Sequence, residues 1–371
     1  MYHIDATQQK ETIRILEDLI SLPSDSSKKE EGALCRYVAS FFEELGYQVQ
    51  RQDCGDGRFN VKALVSGKDH SQKMMYCGHL DTVPGGLLKP EIKDGYLYGR
   101  GSCDMKGSVA CAMMAAKYFS DNKIVPKRDV VFLFDIDEEV ANLGLKKYIG
   151  SCNEKVDFVI VGEPTDLCLD VGHRGVIAYT VTVSGKSSHA SKPQLGDNSI
   201  YKAMDVISQI RKLDGNLAQN KHPLLGSPCM NVTQIHGGDR VNVIPDRTVL
   251  RIDRRLISGE DLESCNRQLA DAVGEVCSDF DLKVTTYCPP AELDTENKYL
   301  KELVCILDGY GMDSVCKCFP ATCEAGLLGS ELGFPSVVLG PGSIDQAHKP
   351  NEFVEISQLF RAVELYISFF E

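Results

Sequence analysis

The chain has 371 residues, a formal net charge of −13 at pH 7 and a hydrophobic content of 43%. Its length suggests two domains, and its hydrophobic content is sufficient for well-packed cores. The acidic balance argues against a nucleic-acid-binding surface. Because no run of about 18 apolar residues occurs, we expect no membrane-spanning helix and no membrane partner.

Fifteen cysteines are scattered through apolar stretches of the sequence. Their odd number and the length of the chain do not fit a disulfide framework, and no C-x-x-C pair indicates a cysteine zinc site. The first residues, Met1 to Asp5, are polar, so we expect no signal peptide. These features predict a cytoplasmic protein with reduced, mostly buried thiols.

The first part of the chain alternates between helical and strand patterns. Helices are predicted at residues 7–21, 30–45 and 108–119. Strands are predicted at residues 47–52, 60–65, 74–78, 130–134 and 158–162, the last three as short apolar runs typical of buried strands. Such an alternation predicts an α/β fold with a mostly parallel mixed sheet and helices on both of its faces.

The pattern changes from about residue 176. Strands are predicted at 177–183, 231–235, 248–256 and 282–287, and helices at 198–213 and 258–279, the second with Ser258 as its N-cap. The order β-α-β-β-α-β is that of the ferredoxin-like motif. We therefore predict an inserted α+β domain at 176–287. A strand near 337–339 and a helix at 357–370 return the chain to a core domain of residues 1–175 and 288–371.

Acidic residues and histidines follow the predicted strands of the core domain. The residues concerned are His79 and Asp81, then Glu138 and Glu139, then Glu163, and finally His348. A further acid, Asp104, lies in a glycine-rich turn just before the helix at 108–119. Parallel sheets place their sites at the carboxyl ends of their strands, so we expect these side chains to meet.

Each of these residues also has an ordinary structural interpretation when it is considered alone. Asp104 could cap the helix that follows it, and Asp137–Glu139 could begin a helix, where acids favour the dipole. Glu163 could belong to a simple turn, and His348 to an exposed loop. The coincidence of all of them with strand ends favours one common site.

Two histidines and three carboxylates are a donor set for a borderline cation such as Zn²⁺ or Co²⁺. Five ligands exceed the needs of one catalytic zinc, but with one bridging carboxylate they serve two cations about 3.5–4 Å apart. Asp81 is within reach of the second ring nitrogen of His79, where a carboxylate fixes the tautomer. Glu138 remains free to take a proton from water.

Four segments together resemble one known family, in order and over nearly the whole chain. They are GHLDTVP at 78–84, GRGSCDMKG at 99–107, DEE at 137–139 and GEPT at 162–165. They resemble the di-zinc amidohydrolases and peptidases that include acetylornithine deacetylase, succinyl-diaminopimelate desuccinylase, aminoacylase and glutamate carboxypeptidase. The resemblance implies two bound zinc ions and a catalytic core with a lid domain.

The resemblance also implies a role for each residue. Asp104 would bridge the two cations, with His79 and Glu163 on one cation and Glu139 and His348 on the other. Glu138 would be the general base, and Asp81 the partner of the metal-bound histidine. In the lid, His189 matches the histidine that helps to hold the reacting carbonyl, and the lid is the surface through which a homodimer forms. Asn242 and Arg254 match lid positions that contact substrate, although the neighbouring Arg255 leaves the second match open.

The C-terminal segment 339–352 is very similar to the acetylornithine deacetylase branch of the family. Thr322-Cys323-Glu324-Ala325 resembles the Thr-Glu-Ala of that branch with one inserted residue, which would place Glu324 near the pocket. Glu324 could then pair with a substrate amine, or be a solvated loop acid. Gly342, in a Gly-Pro-Gly turn, would be either a wall of the pocket or a plain tight turn.

We therefore expect a metal-dependent hydrolase that cleaves the amide bond of a small-molecule N-acyl amino acid, with N-acetylornithine as the leading substrate. Because the metal motifs are shared, a desuccinylase, an aminoacylase and a dipeptidase or carboxypeptidase remain alternatives. A non-catalytic metal-binding homologue is an alternative of another class. Loss of Glu138 or of a ligand would support it, and all of them are present.

Overall fold

The computed structural model describes residues 2–371. The helices are α1 (Ala6–Ser21), α2 (Gly32–Glu44), α3 (Lys106–Asp121), α4 (Leu143–Ser151), α5 (Ser199–Leu217), α6 (Leu262–Gly274), α7 (Lys298–Gly309), α8 (Glu324–Leu332) and α9 (Ile356–Phe370). None of these helices is both long and apolar enough to cross a membrane.

The strands are β1 (Gln48–Gly55), β2 (Arg58–Val65), β3 (Asp69–His79), β4 (Glu91–Lys93), β5 (Tyr96–Tyr98), β6 (Arg128–Asp135), β7 (Phe158–Val161), β8 (Leu169–His173), β9 (Gly175–Ser184), β10 (Ser188–His189), β11 (Cys229–Gly237), β12 (Val243–Ile244), β13 (Arg247–Leu256), β14 (Phe280–Cys288), β15 (Ala291–Glu292), β16 (Cys316–Phe319), β17 (Ser336–Val338) and β18 (Phe353–Glu355). The chain forms two compact units. Unit 2 comprises His173–Ala291 and Pro320–Thr322, and unit 1 comprises the rest.

A nine-stranded mixed sheet runs through unit 1. Its order is β1-β2-β6-β3-β7-β17-β8-β15, with β16 paired to β8. The four neighbours β6, β3, β7 and β17 are parallel, whereas β1 and β2, and β2 and β6, pair antiparallel. Every residue of β6 is buried, as expected for a parallel strand in a sheet with helices on both faces. The predicted fold class is therefore confirmed.

Helix α3 packs in the middle of unit 1, against α1, α9 and β3. Every residue from Lys106 to Ala116 is buried, and most of them are small. A Cβ atom on Gly107 would lie only 2.4 Å from the carbonyl oxygen of Ser102, so only glycine allows this close approach. The glycine-rich turn therefore folds tightly onto the first turn of α3, which fixes the backbone next to Asp104.

Unit 2 is built on a four-stranded antiparallel sheet with the order β11-β13-β9-β14. Helices α5 and α6 connect its strands, which gives the predicted ferredoxin-like arrangement. Alternate residues of β9 are buried, and they join the core residues of α5 and α6. This period of two is that of a strand with one covered face. A short ribbon of β10 and β12 is added to this sheet motif.

The second helix of unit 2 begins later than the sequence pattern predicted. Gly259, with a φ of +91°, follows Ser258, and a helix cannot run through such a residue. Helix α6 instead begins at Leu262, with Asp261 as its N-cap. The Asp261 carboxylate accepts a hydrogen bond from the Ser264 N–H at 2.8 Å. The predicted N-cap role of Ser258 is therefore wrong.

Candidate metal centre

The parallel strands of unit 1 bring the predicted side chains to one edge of the sheet. Strand β3 ends at His79, β6 leads to Glu138 and Glu139, β7 leads to Glu163, and β17 leads to the loop that carries His348. The carboxyl ends of parallel strands share an edge, so residues that are far apart in the sequence become neighbours.

Asp104 lies between two groups of these side chains. Its Oδ1 atom is 3.1 Å from Nε2 of His79, and its Oδ2 atom is 3.4 Å from Nε2 of His348. Nε2 of His79 is also 3.7 Å from Oε1 of Glu163, and Nε2 of His348 is 3.0 Å from Glu139. The two oxygens of one carboxylate therefore face two different sets of donors.

These separations fit donors that share a cation. Two ligands in a tetrahedral zinc site, each about 2.0–2.2 Å from the metal, lie about 3.3–3.6 Å from each other. The donor pairs around Asp104 are 3.0 to 3.7 Å apart, which is within about 0.3 Å of that separation. Ligand atoms of His79, Asp104 and Glu139 all lie within 4.8 Å of one another. Imidazoles and carboxylates together are suited to borderline divalent cations, so both the distances and the chemistry of this site fit metal binding.

Asp81 is fully buried and connects His79 to the two acids after β6. Its carboxylate accepts hydrogen bonds from the backbone N–H groups of Glu138 and Glu139, both at 3.1 Å. This carboxylate lies 3.7 Å from Nδ1 of His79, beyond hydrogen-bond distance. Nδ1 lies 3.0 Å from the backbone carbonyl oxygen of Asp81 instead. Asp81 thus orients His79 with its backbone and the two glutamates with its side chain.

The turn that carries Asp104 is held by the buried side chain of Glu352. Its Oε1 atom accepts hydrogen bonds from the N–H groups of Cys103 and Asp104 at 2.8 and 2.9 Å. Its Oε2 atom accepts from the Gly101 N–H at 3.0 Å and from Arg100 at 2.7 Å. Four donors compensate the loss of water around one buried carboxylate. No local sequence pattern marks Glu352 as a functional residue.

A second buried network holds the turn before Glu138. Asp137 has a φ of +65°, and its carboxylate accepts a hydrogen bond from the Ser26 hydroxyl at 3.1 Å. It also lies 3.6 Å from the guanidinium of Arg58, which donates to Glu31 at 3.0 Å. These buried charges lock a turn that the backbone alone would not favour. No local sequence pattern marks Arg58 or Glu31 either.

Burial and mutual repulsion shift the pKa values of the acids in the metal-free protein. Burial raises the pKa of Glu163 well above its ordinary value, and the charge of Asp104 adds to this effect. Burial likewise raises the pKa of Glu138, with a further contribution from Glu324. Hydrogen bonds to Asp104 and Glu139 raise the pKa of His348 to about 10. The site therefore concentrates negative charge that bound cations would neutralise.

Two residues expected near the pocket are not accessible. Glu324 is fully buried, which leaves no path for a substrate amine and does not fit the predicted pairing. Gly342 is also buried, has a φ of +90°, and donates its N–H to Gln358 at 2.7 Å. A Cβ atom there would lie 2.6 Å from Sγ of Cys103, so Gly342 forms a tight turn, the second of its two predicted interpretations.

Arg254 does not fit its predicted contact with substrate. Its side chain is fully buried in unit 2, where the guanidinium donates to Glu260 at 2.6 Å and to Gln268 at 2.8 Å. Residues alternate between the two faces of a strand, so Arg255 lies on the more exposed face of β13, beside Asp253. Of the two arginines, only Arg255 is placed where a small molecule could contact it.

The other two lid residues lie together in unit 2. His189 is in β10, which pairs with β12, and the Ala190 N–H donates to the backbone oxygen of Asn242 at 2.9 Å. Both side chains are exposed, and Nδ1 of His189 lies 2.7 Å from the Ser191 hydroxyl. Their roles towards a substrate stay predictions.

Comparison with known proteins identifies the family. Residues 75–371 match the peptidase family M20/M25/M40. The chain is 30% identical over 367 residues to the acetylornithine deacetylase of Photorhabdus laumondii. The aligned region covers 93% of this chain and 92% of that protein. The chain therefore belongs to the peptidase family M20/M25/M40, a family of hydrolases, as the sequence motifs predicted.

Solved structures of several peptidases have the same fold. A tripeptidase from Staphylococcus aureus superposes with a TM-score of 0.84 at 20% identity, over 98% of this chain and 97% of that one. The metallo-carboxypeptidase Sso-CP2 of the M20 family, from Sulfolobus solfataricus, gives 0.82 at 19% identity, with 97% and 98% covered. A dinuclear metal-binding peptidase from Bacillus subtilis gives 0.75 at 16% identity, with 98% of each chain covered.

The buried position of Arg254 predicts a loss of stability when its charge is removed. Arg254→Met keeps most of the volume but leaves Glu260 unpaired, so the free energy of unfolding should fall by about 3–5 kcal/mol. Arg255→Met is the matched control. It breaks only a half-exposed pair with Asp253 and should cost about 1 kcal/mol or less. Urea unfolding measures both. If Arg254→Met kept wild-type stability but had a raised KM, the result would contradict the structural role and support the predicted contact of Arg254 with substrate.

The raised pKa of His348 predicts proton release when a cation binds. A histidine with an ordinary pKa near 6.5 is neutral at pH 8.5, but His348 is still protonated there and must lose its proton to become a ligand. Zinc binding at pH 8.5 should therefore release at least about one proton per chain, and affinity should fall as the pH is lowered. Calorimetry in buffers of different ionisation enthalpy measures this release, with His348→Ala as the control. Binding without proton release would contradict the assignment.

Proposed function

We propose that the protein hydrolyses the amide bond of small-molecule N-acyl amino acids with two divalent cations, zinc first and cobalt as the alternative. The observation that carries this proposal is the position of Asp104, whose two oxygens face His79 and His348 separately. One carboxylate between two sets of donors is the arrangement that a two-cation centre requires.

Each residue of the centre has a role in this proposal. His79 and Glu163 would hold one cation and Glu139 and His348 the other, with Asp104 shared between them, since these are the pairs that the distances define. When bound, the cations polarise the acyl carbonyl and lower the pKa of the attacking water. The protein's part is to hold this geometry with little rearrangement, through the hydrogen bonds around Asp104.

Glu138 is the proposed general base. Its backbone N–H is fixed by Asp81, while its side chain remains available to accept a proton from the attacking water. It then delivers the proton to the nitrogen of the departing amine. Burial raises the pKa of Glu138, which suits a group that must hold a proton between two steps. In the same proposal, His189 donates a hydrogen bond to the developing oxyanion.

The leading substrate is N-acetylornithine. The deacetylase of Photorhabdus laumondii is similar over almost its whole length, and the segment 339–352 also favours this branch. Because Glu324 is buried, the proposal does not depend on a pair between that side chain and the substrate amine. The odd number of cysteines, scattered through apolar stretches of the sequence, supports a reducing compartment such as the cytoplasm.

A panel of substrates tests the proposed reaction. N-acetylornithine, other N-acetyl amino acids, N-succinyl-diaminopimelate, dipeptides and tripeptides are compared by amine release with zinc or cobalt present. We expect the highest kcat/KM for N-acetylornithine. A desuccinylase or peptidase preference would overturn the deacetylase assignment and leave the hydrolase assignment intact. No hydrolysis of any of them by the metal-loaded protein would favour a non-catalytic homologue.

The proposed role of Glu138 predicts that a substitution there lowers the catalytic rate without lowering the metal content. Glu138→Gln should keep both cations, because this residue is not a proposed ligand, while kcat falls by about 10²–10⁴-fold, as for a lost acid–base group. Glu139→Gln is the matched neighbour, and it should lose metal as well as activity. Elemental analysis beside steady-state kinetics checks both. Loss of metal in Glu138→Gln alone would reverse the two assignments.

We further propose a homodimer that forms through unit 2. Helix α5 exposes Tyr201 and Met204, which are 67% and 60% accessible, and Val241 beside Asn242 is also exposed. Strand β11 is an edge strand of the unit 2 sheet. An apolar helix face together with an edge strand supports pairing between two copies, because both are costly to leave in water.

Complementation tests whether the dimer shares its sites. In the proposed dimer, the partner subunit's His189 serves the site that contains Glu138 of the first subunit. His189→Ala and Glu138→Ala should each be nearly inactive. Mixed dimers should then regain about one quarter of the wild-type sites, because half of all dimers are hybrids and each has one complete site. The absence of any recovery in verified hybrid dimers would rule out the shared arrangement.

A further inference from the structure

A second group of buried side chains lies one step along β3 from His79. Cys77 on β3, Asp135 at the end of β6 and Glu324 at the start of α8 each bring one donor atom, all within 4.8 Å of one another. Cys77 and His79 are two residues apart, so their side chains point to the same face of the sheet. This cluster, Cys77–Asp135–Glu324, is completely enclosed in unit 1, with exposed fractions of 0 to 1%.

The two carboxylates of the cluster receive no hydrogen bond from any other described residue. Neither oxygen of Asp135 nor either oxygen of Glu324 has a hydrogen-bond donor among residues 2–371. The contrast with Glu352 is direct, because that equally buried carboxylate has four donors. Buried charges in folded proteins are paired or coordinate metals. Two adjacent carboxylates without donors therefore need either a proton or a cation to balance their charge.

We propose that Cys77, Asp135 and Glu324 hold a third, structural divalent cation of the zinc or cobalt type. One divalent cation balances the two carboxylates, and the thiol adds a soft donor that favours such a metal over magnesium or calcium. Enclosure on all sides is typical of a structural site, whereas a catalytic site keeps an open position. When the cation binds, Cys77 forms a sulfur–metal bond as a thiolate, and its proton passes to one of the two carboxyl groups, so that the enclosed site stays neutral.

The site would connect three segments that carry the catalytic residues or support them. β3 ends at His79, β6 leads directly to Glu138, and α8 contributes Glu324 from the C-terminal part of unit 1. A cation at this position would fix the ends of β3 and β6 relative to each other. This inference does not depend on the proposed reaction, since it concerns residues that no substrate can reach.

Cobalt absorption distinguishes this site from the two-cation centre. The protein is refolded with Co²⁺, and bound cobalt is counted by elemental analysis. The proposed centre around Asp104 has only nitrogen and oxygen ligands, so a sulfur-to-cobalt charge-transfer band in the near ultraviolet can arise only from a cysteine site. We expect wild-type protein to show the band and to bind one equivalent more than Cys77→Ser, which loses the band. Asp135→Asn should also lose the band and the additional equivalent of cobalt.

Two controls make the result specific. Cys111→Ser changes another buried cysteine of unit 1, whose thiol donates to the Leu359 carbonyl, and it should keep the band. His348→Ala disturbs only the centre around Asp104, so it should bind less cobalt but keep the band. Retention of the band in His348→Ala thus separates failure of this inference from failure of the proposed function.

Three outcomes would overturn the inference. The first is the absence of the sulfur band in wild-type protein. This outcome does not depend on the folding of any variant. The second is a band that persists in Cys77→Ser, which would place the cobalt on another cysteine. The third is an infrared carbonyl band of a protonated carboxyl group that Asp135→Asn abolishes, with no additional cobalt bound. That result would show a proton shared by Asp135 and Glu324 in place of a cation.

Discussion

The position of the Asp104 carboxylate is the constraint on which the rest of unit 1 depends. Glu352 accepts hydrogen bonds from the backbone of Cys103 and Asp104, and Gly107 lets the same turn close onto α3. With the backbone fixed, the two oxygens point to His79 and His348. A looser turn would leave either oxygen outside the range in which a shared cation can be held.

Around this carboxylate, the fold concentrates acids that would repel one another without a counter-charge. Burial raises the pKa values of Glu163, Glu138 and Asp135 above their ordinary values. Folding of the chain therefore accumulates unfavourable charge at the carboxyl ends of the parallel strands, and cations would convert this into favourable interactions. In this account, metal binding contributes to the stability of the fold as well as to its chemistry.

The sequence was informative wherever the pattern is local. Strand ends followed by acids or histidines were sufficient to bring together His79, Asp104, Glu139, Glu163 and His348, and the change of period near residue 176 indicated the ferredoxin-like order of unit 2. Residues whose role depends on distant partners could not be found in this way. Glu352 accepts hydrogen bonds from residues some 250 positions earlier in the chain, and the sequence around Glu352 does not indicate them. The burial of Arg254 follows from the register of β13, and two adjacent arginines do not show which of them faces inward. Short elements such as α4 and β8 have too few residues to show a period.

The most direct test of the central claim is anomalous diffraction at the zinc absorption edge from crystals grown with zinc. We predict two anomalous peaks on either side of Asp104, about 3.5–4 Å apart, one close to His79 and Glu163 and the other close to Glu139 and His348. A single peak that Asp104 does not bridge, or peaks in contact with Glu138, would contradict the account of how this carboxylate organises the site.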